Sequence, residues 1–187
     1  MNKPGEQVFL EGKSVVLMPL GRADASAEYL AWLNDPEVLR YRGAKAYPTT
    51  FAQLESWIDS LPARGDLVLA IRTRENRRHI GNISLNTILW SHRSAELSIM
   101  IGAKEAWGKG YGTEAIMLLT AHAFSAMGLH RLWAESPNPA FNAAMKKLDW
   151  VHEGIKREAF LLDGTFVAFE CWSLLQPEWR SGKGRLK

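Results

Sequence analysis

Three short segments with period-two patterning stand almost end to end near the middle of the chain: "LVLAIRT" (67–73), "HIGNISLNTILW" (79–90) and "AELSIMIG" (95–102). Only "RENRR" and "SHRS" separate them. A crossover between parallel strands takes about a dozen residues or more, so these three must form an antiparallel meander. The third strand runs straight into "AWGKGYGTEA" (106–115), where Gly108, Gly110 and Gly112 alternate with a lysine and a tyrosine. A helical pattern follows at once, with Ile116, Leu119, Ala123 and Met127 on one face and Gly128 at its C-terminal end.

The flanking elements complete the order. "SVVLMPL" (14–20) reads as a first strand and "ADASAEYLAWLN" as a helix, with "DPEVLRY" a short second helical piece. Thr50 and Gln53 form a capping-box pattern that opens a third helix, whose stripe is Leu54, Trp57, Ile58 and Leu61. After the glycine run, "LHRLWAE" is a strand, "AFNAAMKKL" a helix and "WVHEGIKREAFLL" a long strand. Asp163-Gly164 signals a type I′ hairpin into "FVAFECWSLL". The chain therefore reads as α/β with a mixed sheet, one domain over residues 10–177 and a loose basic tail over 178–187.

Composition excludes more than it selects. A net charge of +3 over 187 residues is too mild for a nucleic-acid binder. Basic residues thicken at Arg40, Arg42 and Lys45, at Arg74, Arg77 and Arg78, and in the tail, as solvated surface or as a site for an anion. One cysteine, Cys171, offers no disulfide, and its apolar run marks it as a structural thiol. The five histidines show no metal-ligand spacing. With no leader pattern and no apolar stretch of about 18 residues, the expectation is a cytoplasmic protein with no membrane, nucleic-acid or metal partner.

Between a strand and a helix N-terminus, the glycines are either a plain turn or a cradle of backbone N–H groups for phosphate. Two phosphate motifs fail on spacing. The P-loop needs a lysine directly after its last glycine, and the dinucleotide fingerprint needs a glycine where Thr113 stands.

"SIMIGAKEAWGKGYGTEA" resembles the acetyl-CoA-binding motif of the GNAT superfamily of N-acetyltransferases, Arg/Gln-x-x-Gly-x-Gly/Ala, in its RimJ/RimL-like branch. Gly110 and Gly112 fill the glycine positions and Trp107 the Arg/Gln position. A second stretch, "NPAFNAAMKKLDWVHEG" (138–154), is similar to that branch's NxxSxxxxxKxGFxxEG, with Asn138, Lys147, Trp150, Glu153 and Gly154 in register. The resemblance covers roughly residues 13–175. It implies a mixed, mostly antiparallel seven-stranded sheet flanked by helices and splayed between strands 4 and 5. It also implies an acetyl-CoA-dependent N-acetyltransferase acting on a primary amine, as a monomer or homodimer. The acceptor would be a protein N-terminus, an amino sugar or another small amine.

The same resemblance implies the site. Gly108, Lys109, Gly110, Tyr111, Gly112 and Thr113 would hold the pyrophosphate, with Trp107 beside them. The backbone of Ile99, Met100 and Ile101 would pair with the pantetheine arm, and an N–H at Met100 or Ile101 would face the oxyanion. Strand alternation puts Glu96 with Ser98 and Met100 on one face, and there Glu96 is either the general base or a solvated carboxylate. Asn138 holds the reacting region, caps the following helix, or does both. Phe141 and Met145 stand where the family supplies a serine or tyrosine hydroxyl, so they would pack on the CoA arm. Asp149 replaces the usual glycine. The proton for the leaving thiolate is then open among Ser136, Tyr111 and water. A CoA-binding module with weak or no catalysis is the alternative. Trp32, Tyr41 and Trp90 are either pocket aromatics or, as the commoner role of such residues, part of the core.

Overall fold

The tightly spaced central strands pair as their connections require. A computed structural model describes residues 7–43 and 47–185. In it β3 (Leu67–Thr73), β4 (His79–Leu89) and β5 (Ser94–Ile101) form an antiparallel meander, with Leu69 opposite Ile83 and Ile83 opposite Ile99. β2 (Val15–Pro19) extends it on one side, and β1 (Leu10–Glu11) adds a two-residue strand at the edge. This brings the sheet to eight strands, one more than expected, because residues 10–11 pair back across a turn at Gly12. The full order is β1-β2-β3-β4-β5-β6-β8-β7, where β6 is Arg131–Ser136, β7 Val151–Leu162 and β8 Thr165–Leu175.

The sheet splits at its only parallel junction among the described residues. β5 and β6 pair over just three positions, Ser94 with Arg131 through Glu96 with Trp133. Beyond Glu96 the edge of β5 has no neighbouring strand on that side, which is the splay expected between the fourth and fifth strands.

Local chemistry sets the helix limits. Ser26 Oγ accepts from the Tyr29 N–H (3.0 Å) and starts α1 (Ala27–Asn34), later than its alanine-rich lead-in suggests. Pro36 keeps Asp35 extended and ends it. The stretch after it, read as a helical piece, is a series of turns whose first N–H groups, those of Glu37 and Val38, bond to Asp35 Oδ1. The Thr50–Gln53 capping box opens α2 (Phe51–Arg64), as expected. α3 (Tyr111–Ser125) begins two residues before the expected start, because Gly110 takes the left-handed conformation at its N-cap. α4 is Pro139–Lys147. Asp163 and Gly164 both have positive φ, as the type I′ hairpin between β7 and β8 demands.

The apolar layers lie on both faces of the sheet. Leu97, Ile83 and Leu85 are buried with Ala115, Ile116 and Leu119 of α3, while Tyr29, Leu54 and Ile58 bring α1 and α2 into the same core. The basic C-terminal segment, expected to be loose, instead folds back on the body. It forms α5 (Gln176–Arg180), sets the Trp179 ring 5.8 Å from that of Phe124, and donates the Gly184 N–H to Leu148 O (2.7 Å). Charge count alone hid the one tryptophan that anchors it.

Candidate active site

Strand geometry decides which polar groups of β5 face the split. Gly102 N–H bonds to Ile80 O on β4, so alternation makes Met100 a hydrogen-bonded partner of Asn82. The backbone groups of Ile99 and Ile101 then point the other way. Two side chains use them there: Arg42 Nη1 donates to Ile99 O at 3.4 Å, and the Trp107 indole N–H donates to Ile101 O at 2.8 Å. The expected oxyanion role of Met100's N–H is therefore corrected: it is committed to β4. The N–H groups of Ile99 and Ile101 are the ones on the open edge.

The glycine turn sits over that edge. Gly108 (φ 72°) and Gly110 (φ 81°) are left-handed, a conformation that costs an L-residue roughly 1–2 kcal/mol. A Cβ on either would meet open space, so the backbone angle and free approach, not packing, call for glycine. Gly112 is helical and lies over the strand, its Cβ position 3.6 Å from the Ile99 and Ile101 side chains. Tyr111, Gly112 and Thr113 are the first three residues of α3, so their N–H groups have no carbonyl one turn back. Lys109 is exposed at the turn's crest. Aligned N–H groups at a helix N-terminus can hold a phosphate.

Asn138 caps α4: its Oδ1 accepts from the Ala140 N–H (2.9 Å), and its own N–H donates to Ser136 Oγ (3.0 Å). Phe141 is half-buried against the core. Met145 is different. At 0% exposure it belongs to the core and lines no open space, so it supports Phe141's helix from behind. Asp149 has φ 54°, which explains the glycine usual at that point of the motif. Glu153 of the same motif takes both guanidinium nitrogens of Arg131 (2.7 and 2.6 Å), and Gly154 follows at a break in the β7–β8 register.

On the opposite face of β5 from α3 lies a cleft of about 780 Å³. Its floor is the alternating polar set Asn82, Ser84 and Asn86 of β4 with Ser98 of β5, and its wall is Gln53, Trp57 and Leu61 of α2. Glu96 shares that face, directly opposite Asn86, at the point where β5 and β6 part. Burial raises its pKa above the usual carboxylate range, and the like charge of Glu135 on β6 adds to this. Among the described residues nothing ion-pairs with Glu96, whereas Glu135 is held by Lys156 and Asp66 by Arg64.

Tyr29 closes the cleft floor. His79 Nε2 lies 2.9 Å from both Gly81 O and Asn82 Oδ1, two acceptors, so that nitrogen carries the proton. This fixes Asn82, whose Nδ2 donates to the Tyr29 hydroxyl oxygen (2.6 Å) and leaves the Tyr29 O–H to donate elsewhere. Burial pushes the Tyr29 pKa up to about 12 and holds His79 below its ordinary value. The expected pocket aromatics do not line this cleft: Trp32 is core, packed on Gly102, and Trp90 is 59% exposed at the β4–β5 turn. Tyr29, Tyr47 and Trp57 take their place. The polar alternation Asn82, Ser84, Asn86 in an otherwise apolar strand was the legible signal for it.

A split sheet with a glycine turn on the open strand edge and a polar cleft behind it defines an acyltransferase scaffold. The chain belongs to the GNAT acetyltransferase family: residues 14–151 match the family described as "Acetyltransferase (GNAT) domain". Among its relatives, the uncharacterized N-acetyltransferase YoaA of Bacillus subtilis (strain 168) is 27% identical over 174 residues, covering 90% of this chain and 97% of the relative. The fold matches that of spermidine N-acetyltransferase from Vibrio cholerae in complex with CoA and spermine, with a TM-score of 0.80 and 24% identity over 89% of this chain and 98% of that one. It also matches Mycobacterium smegmatis RimJ in complex with CoA-disulfide, with a TM-score of 0.78 and 19% identity over 88% and 83%. The protein is an acetyltransferase.

Proposed function

We propose that the protein moves the acetyl group of acetyl-CoA to a primary amine by direct attack on the thioester. The observation that carries this is the unpaired edge of β5 beyond Glu96, flanked by the glycine turn on one face and the polar cleft on the other. The turn from Gly108 to Thr113 offers N–H groups and the positive end of the α3 dipole to the pyrophosphate. The open N–H groups of Ile99 and Ile101 offer a strand partner to the pantetheine, whose amides would displace Arg42 and Trp107 from the two carbonyls on the same edge. The thioester then lies where the two faces of β5 communicate.

The amine enters from the cleft as an ammonium and must lose a proton before it can attack. Glu96 takes that proton directly or through a water, and its raised pKa makes it a stronger base than an exposed glutamate. A C–N bond forms at the thioester carbon and the carbonyl oxygen becomes an oxyanion. The N–H of Ile101 or Ile99 stabilises it. The C–S bond then breaks, CoA leaves as a thiolate, and the second nitrogen proton passes to that thiolate or to water as the amide forms. Phe141 and Met145 have no proton to give. Ser136 stands at the end of β6, where its Oγ accepts the Asn138 N–H, and it is a candidate proton donor to the thiolate beside Tyr111 and water.

Loss of the two usual hydroxyls favours a second reading, a module that binds CoA without turning it over. Free-thiol release from acetyl-CoA with a panel of primary amines separates the two. Acetyl transfer requires thiol release that depends on the amine. Tight CoA binding with no amine-dependent release would support the module.

A further inference from the structure

Every other arginine whose guanidinium bonds near the cleft and its surroundings has a carboxylate: Arg40 with Asp163, Arg64 with Asp66, Arg72 with Asp24. Arg42 has none. It ends the turns that follow α1, its N–H bonded to Leu39 O (2.9 Å), and its side chain reaches back into the cleft beside Tyr29 and Met100. Among the described residues its one hydrogen-bond partner is Ile99 O, at the long distance of 3.4 Å. A guanidinium carries five N–H donors in a planar fork suited to oxyanions. A half-buried cation with one weak acceptor is incomplete, since removal from water without a counter-charge is costly.

The anion is not supplied from within the cleft. Asp66 is already held by Arg64 and receives the Thr87 N–H (3.2 Å). Glu96 is three residues along β5 from Ile99, about 10 Å at the rise of a strand. Among the described residues the cleft therefore holds a guanidinium without a carboxylate, and Glu96, with no ion-pair partner, stands beyond its lining on the same face of β5.

We infer that Arg42 is the specificity-determining residue of the acceptor site, and that the acceptor is a primary amine bearing an oxyanion group, carboxylate or phosphate, which Arg42 binds. The inference rests on the acetyl-transfer reading above. The amine end faces Glu96 and the oxyanion faces the fork. When a cosubstrate amide takes the Ile99 carbonyl, the guanidinium loses its only acceptor and turns its donors to the acceptor. The same cation repels a polyamine, which carries positive charge along its whole length.

The test uses the full chain saturated with CoA or acetyl-CoA and four primary amines of matched length. These end in a carboxylate, a phosphate, a neutral hydroxyl and a second ammonium. Both kcat/KM and the dissociation constant are measured, the latter from tryptophan fluorescence, since Trp57 lines the cleft. Wild type should favour a carboxylate or phosphate amine over the hydroxyl amine by about 10- to 150-fold, the range of a hydrogen bond to a charged group. Arg42→Ala should collapse that ratio towards one, and Arg42→Lys should restore part of it. CoA affinity, measured separately, checks that each variant keeps its cosubstrate site. The carboxylate and phosphate arms identify which oxyanion is read. Equal binding of the anionic and hydroxyl amines in wild type would overturn the proposal. So would preference for the diamine, or an equal loss for all four amines in Arg42→Ala. Binding of an anionic amine through Arg42 with no turnover would sustain this inference while overturning acetyl transfer.

Discussion

A carboxylate can deprotonate an ammonium usefully only if it is ionised yet not too weak a base, and the surroundings of Glu96 push it in that direction. Burial at the split and the nearby Glu135 both raise its pKa. The sign follows directly: the base is active when ionised, so kcat/KM rises with pH through the Glu96 pKa, and that rise should lie above the usual glutamate value of about 4.3. Glu135→Gln removes the like charge and frees the Lys156 ammonium, and both effects lower the Glu96 pKa. The acidic limb of the kcat/KM profile should therefore move to lower pH, and a limb that stays in place would exclude Glu135 as its cause. Glu96→Gln should reduce kcat by about 100-fold or more, the usual contribution of a positioned base. At this scale the sequence was most legible where a residue's role lies in its backbone. Gly110 takes the left-handed conformation that suits a glycine in this turn, and the unusual Asp149 occupies a left-handed position too. It was least legible for Met100, because strand alternation tells which face a side chain takes but not which edge an N–H faces, and for Met145, whose place in the core is set by how α4 packs on the folded body.

The turn between β5 and α3 has two separable requirements. Gly110 must be left-handed, whereas the Cβ site at Gly112 meets only ordinary contacts. Gly110→Val should therefore cost about 1–2 kcal/mol of stability from φ alone and abolish CoA binding by blocking the N–H cradle. Isothermal titration with CoA and a thermal melt measure both. Unchanged affinity would remove the turn from the binding site. Trp107→Phe keeps the ring but removes the donor to Ile101 O. It should change CoA affinity with little loss of stability, since the side chain is 39% exposed. The meander and hairpin were readable because short connections and Asp-Gly leave little choice of pairing. The turns after α1 were not. A run such as "DPEVLRY" has helical composition, but Asp35 binds the Glu37 and Val38 N–H groups, so turns replace a regular helix.

Across the whole molecule, the C-terminal segment closes the core beside α3 instead of trailing from it. Trp179 packs near Phe124, and Gly184 is bonded to Leu148 in the loop after α4. Trp179→Ala should cost about 2 kcal/mol, less than the roughly 3–5 of a fully buried aromatic, and lower the Tm by about 4–8 °C. A Tm equal to that of wild type would mean that the segment adds nothing to stability. The polar cleft was only half legible for a related reason. Its floor comes from two neighbouring strands and could be read as alternation, but its walls come from α1, α2 and the loop carrying Arg42, which only the folded chain brings together. The central claim, that the split edge of β5 is where an acetyl group passes to an amine, is tested most directly by incubating the protein with acetyl-CoA and an amine panel. Free CoA thiol and N-acetylated amine are then quantified together. Equal amounts of both, abolished in Gly110→Val and strongly reduced in Glu96→Gln, are predicted. Thiol release with no acetylated amine, or neither product from a protein that binds CoA, would contradict it.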